Sequence, residues 1–236
     1  IFSKNDKQQF TARLSVIDNK KLAKMDLKNE KETNSALEKI RNSSFNMTKI
    51  STKRVKRNPL PPFTTSTLQQ EASNKLSFGA SRTMRIAQKL YEGINIGSET
   101  TGLITYMRTD GVQLSTQAID ELRNEITNLH GKEYIPQTPR VYKSKAANAQ
   151  EAHEAIRPTA ISRHPESMSS YLDDEQFKLY ELIWKRTISS QMQSAELDET
   201  SADISNKDKT IVFRANGSQV RFPGFFIYRD RNDDKI

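Results

Sequence analysis

Cysteine is absent from this sequence. That excludes a disulfide scaffold and thiolate zinc sites, and it fits a reducing compartment. Glycine and proline are scarce, 8 of each in 236 residues, so a collagen-like chain is excluded. Nowhere does an apolar run approach the ~18 residues that read as a membrane span. The chain begins at Ile1 rather than Met, and no secretory leader pattern follows. A glycine-rich phosphate loop ending in Lys-Ser or Lys-Thr is missing, so nothing suggests ATP use. Asp-x-Asp clusters of the Mg²⁺-binding kind are missing too. Hydrophobic residues make up only 34%, below the usual ~45–50%, although that benchmark also counts glycine.

What is abundant is positive charge. Lys and Arg number 37 against 29 Asp and Glu, a net charge of +8 and a pI near 9.5. Such a balance is the electrostatic footprint of a nucleic-acid partner, or of a merely soluble basic protein. The ends read as those of a piece excised from a longer protein.

Hydrophobic spacing divides the chain into three parts. Residues 10–17 alternate with Phe10, Ala12, Leu14 and Val16 on one side, the period of a half-buried strand. Asn29–Asn42 carries Thr33, Leu37 and Ile40 at helical spacing. Phe45–Val55 reads as a second strand, running into Lys53, Arg54, Lys56 and Arg57 and ending at Pro59, Pro61 and Pro62. Helical signals then take over. Ser66-Thr67-Leu68-Gln69 has the form of a capping box, with Leu68, Ala72 and Leu76 beyond it. Ser81 heads a second helix with Met84, Ala87, Leu90 and Tyr91 on one face and Gly93 at its end. Thr116–Leu129 and an Ala-rich Ala146–Ile156 follow. Asp173 with Gln176 starts a fifth helix, faced by Phe177, Tyr180, Trp184, Ile188 and Gln191. After Met192 the strand period returns in Thr210–Arg214 and Gln219–Tyr228, split by the hairpin signal Asn216-Gly217. The expected fold class is therefore α+β and multidomain. A discontinuous β-rich domain spans 1–62 and 193–236, and an all-α domain, 63–192, is inserted in it. Two separate small β domains are the rival, but a lone hairpin is barely stable.

Two constellations can carry chemistry. In Gly102-Leu103-Ile104-Thr105-Tyr106-Met107-Arg108-Thr109-Asp110 the apolar, β-branched start favours extended backbone. Residues two apart then share a face, so Tyr106 and Arg108 point the same way. A phenol is a weak nucleophile until it loses its proton. A fixed guanidinium favours the ionised form and neutralises phosphate oxygens in the transition state. A core Tyr beside a surface Arg is the bland alternative. In the second stretch, Asn148–Thr159, His153 and Arg157 stand four apart and so share a helix face. They could contact phosphates or pass a proton, or simply form a solvated face. His130 and His164 read as structural or solvated, and no metal motif is present.

Ile104-Thr105-Tyr106-Met107-Arg108-Thr109-Asp110 resembles the active-site segment of bacterial type IA DNA topoisomerases. So do Pro62-Phe63-Thr64-Thr65-Ser66-Thr67-Leu68-Gln69-Gln70, Gln88-Lys89-Leu90-Tyr91-Glu92-Gly93, Ala149–Pro158 and Tyr180-Glu181-Leu182-Ile183-Trp184, all in the family's order. The resemblance covers about 62–192 specifically and the flanks loosely. It implies a toroidal enzyme whose discontinuous β-rich arch carries an inserted helical domain. It implies ATP-independent relaxation of negatively supercoiled DNA through a 5′-phosphotyrosine, strand passage and religation. Tyr106 is then the nucleophile and Arg108 the stabiliser of the scissile phosphate. His153 is a DNA contact, Arg157 a further one, and Thr105 supports the tyrosine. Mg²⁺ belongs to a toprim domain that this chain lacks, so no metal residues are assigned here. The implied partners are single-stranded DNA and the enzyme's own toprim and groove-closing domains. The enzyme is expected to be a cytoplasmic monomer without membrane contact. The alternative is a non-catalytic nucleic-acid-binding or structural module in which Tyr106 only packs.

Overall fold

The computed structural model describes residues 2–4, 8–23, 25–143 and 154–229. Its elements, in chain order, begin with four short strands: β1 (Phe2–Lys4), β2 (Gln8–Phe10), β3 (Arg13–Ile17) and β4 (Lys20–Lys21). Then come α1 (Glu30–Arg41), β5 (Asn46–Arg57), α2 (Thr65–Leu76) and α3 (Ala80–Glu92). The small strands β6 (Ile94–Asn95) and β7 (Thr100–Thr101) precede α4 (Thr116–His130), α5 (Pro165–Met168) and α6 (Asp174–Ser190). The long strands β8 (Ala195–Ser205) and β9 (Val212–Phe222) close the order, and short 3₁₀ turns occupy Lys132–Tyr134 and Gly224–Tyr228. The chain is thus mixed α/β. It divides into two compact units, Ile1–Lys56 with Glu196–Phe222, and Arg57–Ala195 with Pro223–Ile236.

The first unit is built on a five-stranded sheet in the order β4-β3-β9-β8-β5. Its spine is the β8–β9 hairpin, in register from Leu197 opposite Val220 to Ser205 opposite Val212. The expected turn at Asn216-Gly217 is not there. Both residues lie inside β9, facing Ser201 and Thr200. The chain reverses instead at Asn206–Lys209, where the Asn206 side chain accepts from the Ile211 N–H (3.0 Å) and Lys209 takes a left-handed φ of 57°. A side chain that satisfies the turn backbone outweighs the dipeptide preference. The single strand expected over residues 10–17 is broken between Phe10 and Arg13. In α1, Asn29 caps the helix by accepting from the Glu32 N–H, yet the buried residue is Ala36, and Leu37 is exposed.

The second unit is helical. α2, α3 and α6 pack on one another around Leu68, Leu90, Leu179 and Ile183, all fully buried. α2 starts two residues before the expected box. Thr64 and Thr67 cap each other, Thr67 Oγ1 accepting from the Thr64 N–H (2.9 Å) and Thr64 Oγ1 from the Thr67 N–H (3.3 Å). α3 begins after Gly79 rather than at Ser81. Asp173 and Gln176 form the capping box of α6 that their spacing announced. From that helix, Trp184 Nε1 donates to the Ile161 carbonyl (2.8 Å) and the Tyr180 hydroxyl to the Arg163 carbonyl (2.7 Å). These bonds hold the loop after Pro158 on the core. The strand expected to reach Tyr228 ends at Phe222. Gly224 turns there with φ 49°, and an added Cβ would strike the Gln193 and Ser194 carbonyls, so only glycine fits.

Candidate active site

The tyrosine segment is short, and its neighbours fix it. Leu103, Ile104, Met107 and Thr109 are buried, whereas Tyr106, Arg108 and Asp110 are exposed. Apolar side chains anchor the stretch in the core and leave the phenol (37% exposed) and the guanidinium at the surface. Both lie on the solvent side, but not as a continuing strand would place them: only Ile104 of this stretch makes a bridge, and the backbone bends at Met107–Arg108.

Three other stretches brace the backbone. The Leu103 N–H donates to the Leu90 carbonyl in the last turn of α3 (2.7 Å). On one flank the Thr105 N–H donates to the Arg157 carbonyl (2.9 Å), and the Thr159 N–H to the Leu103 carbonyl (3.0 Å). Ile104 bridges Pro158, and Ile156 bridges Phe63, both antiparallel. On the other flank the Thr65 hydroxyl donates to the Met107 carbonyl (2.7 Å) and accepts from the Thr109 N–H (2.9 Å). The Thr65 N–H donates to the Thr109 carbonyl (2.9 Å). Satisfied backbone groups on both sides of Tyr106 leave its main chain little freedom.

Thr105 is the central fastener. Its hydroxyl donates to the Ala155 carbonyl (2.8 Å) and accepts from the Arg157 N–H (3.0 Å). Arg157 has turned its side chain inward. Its Nε donates to Glu154 (2.9 Å), Nη2 pairs with the same carboxylate (2.7 Å), and Nη1 donates to the Pro158 carbonyl (3.0 Å). Burial alone would raise the Glu154 carboxyl. The Ser115 and Arg157 donors overcome that and hold it below the usual carboxylate range.

The helix expected over Ala146–Ile156 is absent where it is described, because Glu154–Arg157 is not helical. The bridges of Ile156 and Pro158 pull this stretch extended, and a residue before proline disfavours the α region. Arg157 accordingly does not present a helix face. His153, and 144–152 with it, lie outside the described residues. His130 shares a hydrogen bond with the Tyr228 hydroxyl (2.7 Å), and burial lowers its pKa. His164 pairs with Glu125 (2.5 Å). Both side chains are bonded within the fold.

Sequence reasoning missed two neighbours of the tyrosine. Thr65 opens α2, and nothing in its local pattern separates it from an ordinary first-turn residue. Tyr91 was expected on the buried face of α3, but it is 40% exposed. Its ring meets the Tyr106 ring edge to face, with centroids 5.4 Å apart and planes at 64°. Among the described residues no group of three or more His, Asp or Glu side chains converges on a metal position. Among the described residues no helix is long and apolar enough to cross a membrane.

A family description for DNA topoisomerase matches residues 2–236. DNA topoisomerase 1 of Rickettsia bellii is 51% identical over 232 residues, which is 98% of this chain and 29% of that protein. DNA topoisomerase 1 of Xylella fastidiosa is 46% identical over 233 residues, covering 97% of this chain and 28% of the relative. Among solved structures, full-length topoisomerase I from Thermotoga maritima superposes with a TM-score of 0.75 at 36% identity. That match covers 93% of this chain and 34% of the other. The chain belongs to the DNA topoisomerase family. It spans about 30% of the length of the curated relatives it matches.

Proposed function

We propose that this chain is the arch and tyrosine-bearing part of a bacterial type IA topoisomerase that relaxes negatively supercoiled DNA without ATP. In this reading the expected discontinuous β-rich arch (1–62 and 193–236) corresponds to the first compact unit, Ile1–Lys56 with Glu196–Phe222, and the inserted helical domain (63–192) to the second, which also takes Pro223–Ile236. The observation that carries it is the exposed Tyr106–Arg108 pair on a segment braced from both flanks, in a chain whose family match spans residues 2–236.

Tyr106 Oη attacks the phosphorus of a single-stranded phosphodiester. An O–P bond forms to the tyrosine, the bond from phosphorus to the 3′ oxygen breaks, and the phenolic proton ends on the released 3′ hydroxyl. The 5′-phosphate stays on Tyr106. The bond energy stays in that ester, so religation is the same exchange in reverse and needs no nucleotide. Arg108 pairs with the non-bridging oxygens as charge builds on them. Thr105 and Thr65 hold the backbone so that the phenol meets the phosphate in line. His153 contacts the DNA strand. Arg157 is a further DNA contact in this reading, and reaching the strand requires its guanidinium to leave Glu154. Mg²⁺ and the rest of the single-strand groove come from toprim and groove-closing domains outside this chain. The whole enzyme works as a cytoplasmic monomer.

The test is reconstitution. This chain is mixed with the separately made toprim-containing part, Mg²⁺ and a labelled single-stranded oligonucleotide, then denatured. Label on this chain in the mixture, and none with this chain alone, is the expected result. Cleavage by this chain without the other part refutes the split site.

A further inference from the structure

We infer that Tyr91 is a positioning residue for Tyr106, holding the phenol ring on which the proposed cleavage depends. This rests on the reading of Tyr106 as nucleophile. The backbone of the tyrosine segment is fixed by hydrogen bonds, but those bonds do not set the torsions of an exposed side chain. Tyr91 supplies a direct contact to that side chain. The two rings meet edge to face, an arrangement aromatic pairs favour because a positive edge faces a negative π surface.

The contact is built into the backbone as well. Leu90, one residue before Tyr91, is fully buried and accepts the Leu103 N–H (2.7 Å). Gly102 lies so close to α3 that an added Cβ would stand 2.5 Å from the Tyr91 carbonyl oxygen. Only a residue without a side chain lets the tyrosine segment leave α3 at this point. Tyr91 thus rides on the last turn of a packed helix, and its position relative to residue 102 is set before any DNA binds. A core role does not explain it, because Tyr91 is 40% exposed while Ile86, Ala87 and Leu90 fill the core face.

The experiment uses the complete enzyme that carries this chain, with single-turnover cleavage of a labelled oligonucleotide and a separate measurement of DNA affinity. Tyr91→Ala is expected to slow covalent adduct formation by roughly ten- to a hundredfold, the scale of an ångström-level misplacement, with affinity within about twofold. Tyr91→Phe is expected to cleave at nearly the wild-type rate, because the ring and not the hydroxyl makes the contact. Wild-type cleavage by Tyr91→Ala overturns the inference, as does equal loss in both variants or a loss confined to affinity. Thermal melting of both variants separates misfolding from misplacement. Should Tyr91→Ala unfold, Tyr91→Leu, which keeps an apolar side chain without a ring, must show the slowed step or the inference fails. Tyr106→Phe runs alongside. An adduct in that variant refutes the nucleophile itself, whatever Tyr91 does.

Discussion

Replacing Thr105 by Val removes one hydroxyl and almost no volume, so it isolates the bonds that pin the tyrosine segment. Thr105 Oγ1 donates to the Ala155 carbonyl at 2.8 Å and accepts from the Arg157 N–H at 3.0 Å. Ala155 is fully buried. Valine leaves that carbonyl and that amide without their partner. At about 1–3 kcal/mol for a buried group left unsatisfied, and less for the half-buried Arg157 amide, the expected cost is about 2–4 kcal/mol. For a unit of this size roughly 2–4 °C is lost per kcal/mol, so Tm falls by about 5–15 °C. The assay reads the right unit, because the chain's one tryptophan, Trp184, lies in the helical core at 4% exposure. Its fluorescence in urea follows that unit alone. Thr105→Ser keeps the hydroxyl and is expected close to wild type. If Thr105→Val stays within about 0.5 kcal/mol of wild type, the size of a neutral surface change, the bracing account is wrong.

Other outcomes follow from the same contacts. Gly102→Ala forces a Cβ against the Tyr91 carbonyl and should cost about 1–3 kcal/mol, the scale of an overpacked site, with loss of adduct formation; a neutral melt refutes it. Glu154 titrates below its ordinary 4.5 in the fold, so its stabilisation is complete above that pH and disappears as pH falls through the lower folded value. Glu154→Gln should therefore be less stable than wild type at neutral pH, and the two should converge in acid when followed by Trp184 fluorescence; parallel curves contradict this. Asn206→Ala should destabilise the first unit by about 1 kcal/mol in circular-dichroism melts, because it removes the bond to the Ile211 amide. Asn216→Ala, inside a strand, should not; the reverse order would restore the hairpin to Asn216-Gly217. Affinity for single-stranded DNA should fall linearly on a log–log plot against salt as counterions are released, and a flat plot would remove DNA as the partner of the +8 charge.

The parts of the fold legible in the sequence are those that local physics decides. Asp173 and Gln176 announce α6 because a capping box is closed within one turn. Of the face expected on α4 from Ile119, Leu122, Ile126 and Leu129, Leu122 and Ile126 are buried, Ile119 is half-buried, and Leu129 is exposed, with Ala118 buried in addition. The alternation that exposes Tyr106 and Arg108 over buried Met107 and Thr109 is local as well. The misreadings have one cause. Asn216-Gly217 looks like a turn, but the strand opposite it is an eleven-residue partner, and tertiary pairing overrides the dipeptide. The Ala-rich stretch before Pro158 looks helical, but the end of it that is described is drawn straight by Phe63 and Ile104, far away in the sequence. The brace itself links Thr65 to Met107 and Thr105 to Ala155 across 42 and 50 residues. No periodicity carries such a pair. Tyr91 fell to the core face for the same reason: its partner is brought there by the fold.

The most direct test of the central claim is to find the residue that carries the DNA. An oligonucleotide trapped on the reconstituted enzyme is digested with protease and nuclease, and the modified peptide is sequenced by mass spectrometry. A phosphonucleotide on Tyr106, absent from Tyr106→Phe, is the result expected of a phenol held at the surface by the Thr65 and Thr105 braces. A covalent nucleotide on any other residue, or one that persists in Tyr106→Phe, contradicts it.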